Sequence, residues 1–163
     1  MRPLSESEIR TSFINASKSE QKSVALPADL GELDWEKRDF LGWRDAKLPL
    51  VGYVVVEIDG VPTGVILRQT EARPTGRTQC VWCADVELPN AVVMFSAKRA
   101  GAAGRRGDVV GTLVCERFEC NVNARRTPKT AYLGFDVDAA RQRRIDMLRE
   151  NVEAFVRGIR DQV

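Results

Sequence analysis

The four cysteines constrain this chain more than any other feature, because they fall into two close pairs in a sequence that has no histidine. Cys80 and Cys83 stand in TQCVWCADVELP, and Cys115 and Cys120 stand in CERFECN. Residues five apart on a regular α-helix are rotated by about 500°, or about 140° beyond a full turn, so Cys115 and Cys120 cannot aim at one point if both are helical. One must precede the helix. The VVGTLV before Cys115 is strand-like, which predicts that Cys115 ends a strand and Cys120 lies in or near a first helical turn, where the helix dipole favours a thiolate.

The two-residue spacing of Cys80 and Cys83 is that of a tight turn presenting both sulfurs to one ion. Together the pairs supply four thiolates, which suits a closed tetrahedral zinc site with Zn–S distances near 2.3 Å. The N-terminal MRPLSESEIR lacks the apolar segment of a secretory signal, and no apolar run approaches the roughly 20 residues that span a bilayer. The expectation is a cytoplasmic protein with no membrane partner, and in a reducing cytosol paired cysteines serve as metal ligands more often than as disulfides. Disulfides and redox chemistry stand as the alternatives. A knuckle, a β-hairpin and then ligands at a helix start is the order of a treble-clef zinc finger, although the 31 residues between Cys83 and Cys115 exceed the spacing of common zinc ribbons. Zn²⁺ with four thiolates carries a formal charge of about −2. Arg77, Lys98, Arg99, Arg117, Arg125 and Arg126 are the candidate counter-charges.

At 163 residues and 44% hydrophobic, the chain fits one domain over 1–163 with one core. Ser5 followed by Glu8 is a capping-box start, predicting a helix from about Ser5 to Ala16. LGELDWEKRDFLGWRD reads as turns and short helix; Trp35, Phe40 and Trp43 within it are core residues or an exposed recognition surface. GYVVVEI and VPTGVIL, joined by Asp59-Gly60, form a β-hairpin whose second strand begins at an edge or pairs only after Pro62. AVVMFSA and GTLVC are strands around a basic, Gly-rich loop. A C-terminal helix over about 138–160 carries Ile145, Leu148, Val152, Phe155 and Ile159 on one stripe, for the core or a partner. The expected fold is α+β: an antiparallel β core, a four-cysteine treble-clef-like zinc finger over about 76–130, and the long C-terminal helix.

Absent histidine removes imidazole acid–base catalysis, Cys-His and Ser-His couples and the HExxH site. Four cysteines leave zinc no open position for water, and no carboxylate pair stands out, so no enzyme and no small-molecule substrate is expected. KRAGAAGRRGDVVG lacks the GK[ST] ending of a phosphate-binding loop. Its useful property is charge. From Lys98 through Lys129 there are eight Lys/Arg and three Asp/Glu, a net +5, against −3 for the rest of the chain. Such a patch meets an acidic protein face or nucleic-acid phosphates, or simply balances the thiolates. Lys98, Arg99, Arg105 and Arg106 are the contact candidates. Trp82, between the first two cysteines, either packs on Phe118 or stands on a recognition surface.

RPLSESEIRTSFINASKSE, DFLGWRD, CVWC, AKRAGAAGRRGDVVGT and CERFECNVNARR resemble the actinobacterial branch of the elongation factor G-binding proteins, which share a C-terminal treble-clef zinc finger with fusidic-acid-resistance proteins of the FusB type. The resemblance covers nearly the whole chain. It implies a non-enzymatic translation factor that binds elongation factor G and, in resistance proteins, helps release it from drug-stalled ribosomes. Carried over by motif, Cys80, Cys83, Cys115 and Cys120 are the zinc ligands; Cys115 stands where histidine is expected in the resistance proteins. Those proteins also carry an N-terminal helical domain, so the resemblance supports binding of the factor more than drug resistance. The alternative is an RNA- or ribosome-binding zinc finger, with ribosomal RNA as the partner.

Overall fold

Two positive-φ residues organise the sheet. Asp59 and Gly60 take φ of 54° and 78°, the left-handed pair that lets a two-residue turn follow the twist of its strands. They join β2 (Val51–Ile58) to β3 (Val61–Gln69) in a register running from Ile58↔Val61 to Val51↔Arg68. β1 (Leu41–Arg44) flanks β2, while β4 (Val92–Lys98) and β5 (Val109–Cys115) continue beyond β3, giving a five-stranded antiparallel sheet in the order β1-β2-β3-β4-β5. The computed structural model describes residues 1–72, 74–85, 87–127 and 134–161. Lys129 and the expected end of the finger near residue 130 lie outside the described residues.

β3 and β4 share only the pairs Arg68↔Ser96 and Gln69↔Phe95, because the N-terminal segment occupies the first part of β3's outer edge. The helix α1 (Glu6–Ser12) has the expected capping box from Ser5 and Glu8, but it stops at Ser12 rather than near Ala16. Phe13 turns extended to bridge Gly64, and the Ile14 N–H donates to the Gly64 carbonyl at 2.9 Å. Asn15 then imitates a strand: its Oδ1 accepts from the Ile66 N–H at 2.9 Å and its Nδ2 donates to the Ile66 carbonyl at 3.0 Å. A residue whose backbone satisfies a sheet edge cannot also continue a helix. Pro62 pairs with Glu57 inside β3 and belongs to the same outward-facing set as Gly64 and Ile66, so its missing N–H costs the β2–β3 ladder nothing.

Each face of the sheet has its own apolar cluster. Val54, Val56, Ile58, Val65, Leu67, Val93 and Phe95 pack under α5 (Val137–Arg160), whose Leu148, Val152, Val156 and Ile159 are fully buried. The stripe on this helix is therefore core. On the second face, Leu41, Trp43, Val51, Tyr53 and Val55 meet Leu4, Ile9, Phe13 and Val24. Phe40 and Trp43 are buried and Trp35 half-buried, so these aromatics are core rather than a recognition surface. Ser17 and Glu20 make a second capping box for α2 (Lys18–Ser23), and single 3₁₀ turns at Leu30–Glu32 and Trp35–Lys37 lead to β1. The expected basic loop between β4 and β5 contains a short helix, α3 (Gly101–Arg105), which buries Ala103.

The Arg2 guanidinium first, and then the Ser5 backbone N–H and hydroxyl, hold the Glu8 carboxyl at about 2 against an ordinary 4.5. A depressed carboxyl stabilises the fold above the ordinary value and loses that contribution as pH falls towards the folded one. Carboxyl NMR of Glu8 is thus expected to show a midpoint near 2, with α1 loosening over the same acid range; an ordinary midpoint would contradict the pairing.

Candidate metal centre

The second cysteine pair takes the arrangement expected from its spacing: Cys115 is the last residue of β5 and Cys120 the first of α4 (Cys120–Ala124). Between them Phe118 has φ of 60°, and its N–H donates to the Cys115 carbonyl at 2.9 Å. The first pair forms a closed knuckle. The Cys80 N–H donates to the Asp85 carbonyl at 3.2 Å, the Ala84 N–H donates to the Cys80 carbonyl at 2.8 Å, and Ala84 takes φ of 53°. The Val81 N–H donates to the Leu113 carbonyl at 2.9 Å, which fastens the knuckle to the outer edge of β5.

All four sulfurs then converge. Cys80 Sγ lies 3.6 Å from Cys120 Sγ, Cys83 Sγ lies 3.8 Å from Cys115 Sγ, and the four lie within 4.8 Å of one another, every residue buried. A tetrahedron with 2.3 Å Zn–S bonds has edges of about 3.8 Å, whereas a disulfide needs about 2.05 Å. The donor set fits zinc, with Cys80, Cys83, Cys115 and Cys120 holding it. As bare thiols they are in conflict. Hydrogen bonds from Cys115, then Cys120 and Cys83, hold the Cys80 thiol far below its ordinary value, while hydrogen bonding with Cys115 pushes Cys83 and Cys120 far above theirs. Zinc bound here keeps all four as thiolates, and its binding contributes on the order of 10–16 kcal/mol, comparable to the 5–15 kcal/mol stability of a typical domain.

The sulfurs lie within the apolar core, and one amide reaches them. Asn123 Nδ2 lies 3.4 Å from Cys115 Sγ and 2.9 Å from Asn90 Oδ1. Two candidate counter-charges have other partners: Arg125 donates to Asp39 at 2.8 Å, and Arg99 donates to the Gly158 carbonyl. Asn121 ties α4 to the start of β1, accepting from the Asp39 N–H and donating to the Phe40 carbonyl, each at 2.8 Å. The buried Asp39 carboxylate also receives Arg149 from α5 at 2.9 Å. Arg144 reaches Asp85 at 2.8 Å, and Asn151 reaches the Trp82 carbonyl at 3.0 Å.

Trp82 belongs to the core, only 1% exposed, and does not stand on a recognition surface. The knuckle tip has room for an indole because the sheet and α5 close around it. Trp82 stacks on Phe118 at 6.1 Å, Phe40 meets it edge-on at 5.5 Å, and Phe155 covers it at 5.5 Å. Truncating such a tryptophan costs about 3–5 kcal/mol. Phe118 in turn stacks on Phe95 at 5.2 Å and lies against Gly42 and Gly52. A Cβ on Gly52 would sit 2.7 Å from Phe118 Cζ, and one on Gly42 would sit 2.7 Å from Phe118 Cβ. The remaining contact candidates stay outside the core. Lys98, Arg105 and Arg106 are exposed and Arg99 is half-buried; Lys98, Arg99 and Arg105 line one groove of about 380 Å³ with Asn15, Ser17 and Glu20.

The sequence pattern of the FBP C-terminal treble-clef zinc-finger family matches residues 8–159. The chain belongs to that family. Among solved structures, the fusidic acid resistance protein FusC shares the family member's fold with a TM-score of 0.60 at 18% identity, over 93% of this chain and 58% of FusC. The chain thus spans a little over half the length of that protein. No curated protein matches it. Among the described residues no helix is long and apolar enough to cross a membrane.

Stripping the metal with a chelator is expected to abolish the near-ultraviolet signal of the Trp82 cluster and to lower the melting temperature, with one zinc per chain lost by atomic absorption. Unchanged spectra after complete zinc removal would contradict a structural ion. Gly52→Ala presses on Phe118 and is expected to destabilise the fold by roughly 1–3 kcal/mol, the usual cost of overpacking, in a denaturant titration.

Proposed function

We propose that this chain is a non-enzymatic, cytoplasmic translation-associated protein that binds elongation factor G through its zinc-finger half and promotes release of the factor from the ribosome, giving tolerance to fusidic acid. The observation that carries the reading is membership of the FBP C-terminal treble-clef zinc-finger family over residues 8–159. The fold shared with FusC, a fusidic acid resistance protein, supports it.

The chemistry of the centre supports a scaffold rather than a catalyst. Four buried sulfurs fill a tetrahedral shell, so zinc here has no position for water or substrate. Zinc's contribution is to fix the knuckle, the β4–β5 hairpin and α4 as one platform. Positive charge gathers on that platform, and Lys98, Arg99, Arg105 and Arg106 are its proposed contacts, with Arg99 also serving the Gly158 carbonyl.

The same charge favours a second reading, contact with ribosomal RNA, and ionic strength separates the two. An RNA complex releases counterions, so its affinity falls by orders of magnitude between about 50 and 200 mM salt when several phosphates are contacted. Titration calorimetry with purified elongation factor G is expected to give a stoichiometric complex for the zinc-loaded chain, with modest salt dependence, and none after metal removal. Failure of the zinc-loaded chain to bind the free or ribosome-held factor, alongside steeply salt-dependent binding to ribosomal RNA, would transfer the assignment to the second reading.

A further inference from the structure

One face of the sheet is only half covered. The N-terminal segment lies over β1, β2 and most of β3 and reaches the continuation of that face only at its far end, where Asn15 donates to the Lys98 carbonyl at 3.1 Å and, with Glu20, lines a small groove beside Ser96, Lys98 and Val109. The register places Met94 opposite Leu113, Ser96 opposite Gly111 and Lys98 opposite Val109 there. Val109 is 60% exposed, and Val81, whose N–H is fastened to Leu113 at the strand edge, is 48% exposed. The half-buried Met94 and Leu113, the latter also packed against the core, and the exposed Val109, bordered by the exposed Lys98 and by Arg68 opposite Ser96, make an apolar strip with a cationic rim.

From this juxtaposition we propose that the β4–β5 part of this face, with Met94, Leu113 and Val109 as its apolar strip and Arg68 and Lys98 at its rim, is the surface that docks an acidic protein face. The inference rests on the reading above and names where elongation factor G sits.

Charge selects the occupant. Arg105 joins Lys98 on the adjoining groove, and Glu20 is the acid that lines it. Asp108 lies 3.9 Å from Arg106 and offsets that arginine instead. Cations therefore outnumber acids around an apolar centre, and the matching surface carries carboxylates around apolar side chains. RNA fits less well. Sequence-tolerant RNA platforms stack bases on aromatic rings, and no aromatic side chain lies on this part of the face among the described residues. Residues at the centre of an interface govern affinity, and those at the rim govern the approach.

The test uses the zinc-loaded full chain carrying Val109→Asp or the pair Arg68→Glu and Lys98→Glu, each at exposed positions remote from the sulfurs. Zinc content and melting temperature report folding, and Lys37→Glu, on the 3₁₀ turn before β1, serves as the surface control. Val109→Asp is expected to weaken elongation factor G binding by about tenfold or more through faster dissociation. The charge-reversed pair is expected to slow association by a similar factor and to flatten its salt dependence. If the unsubstituted chain binds the factor and both variants bind equally well, the docking face is wrong while the assigned partner stands. Should the unsubstituted chain not bind the factor at all, both fall. Loss of ribosomal RNA binding in the variants, with factor binding intact, would also overturn the proposal in favour of an RNA surface.

Discussion

Four buried sulfurs within 4.8 Å of one another repel one another as thiolates, and the apolar surroundings give that repulsion little screening. A single divalent cation converts the conflict into the strongest local attraction in the molecule, and the segments that carry the sulfurs are otherwise short and weakly held. The knuckle is one turn, α4 is five residues, and the link between Cys115 and α4 needs a positive φ at Phe118. None of these would persist as an isolated peptide. The rest of the molecule is arranged so that metal binding is transmitted outward: through Phe118 into the slot formed by Gly42 and Gly52, through Asn121 to the start of β1, and through Trp82 to α5.

Much of this was legible in the chain. Covalent spacing and turn chemistry are local, so the cysteine pairs, the Asp59-Gly60 hairpin, the Ser5–Glu8 cap and the periodic C-terminal helix could each be read without tertiary information. The misreadings share a different cause. α1 ends early because Phe13 and Asn15 are drawn to the edge of β3, a partner some fifty residues away in sequence. β1 was hidden because Leu41–Arg44 is short and its Gly42 is there to admit Phe118, not to favour a strand. Trp82 gave no sign of its burial, since its cover comes from Phe40, Phe118 and Phe155 on three separate segments. Asn121 and Asn123 carried no signal of charge or period, yet each satisfies groups that a hydrophobic side chain would leave stranded.

The division of labour that results is between a centre that holds shape and a surface that makes contact. The rings of Trp82, Phe118 and Phe40 beside the zinc centre are consumed by packing, and the buried Asp39 is committed to Arg125 and Arg149. The contact surface proposed above is the outside of the β4–β5 hairpin.

The two-rung junction between β3 and β4 gives the sheet a seam. On one side stands the β1–β3 ladder, on the other the metal-bearing hairpin, and the backbone alone fixes their relative tilt only weakly. α5 bridges the seam, clasping Asp59 at the hairpin turn, Asp85 beside the knuckle and the chain at Ala100. The aim of the finger therefore depends on the side-chain volumes of this helix, alongside the Phe118 slot and the Asn121 tie to β1. A methylene more or less at Val152 or Val156 would steer the platform without breaking a strand or disturbing a sulfur.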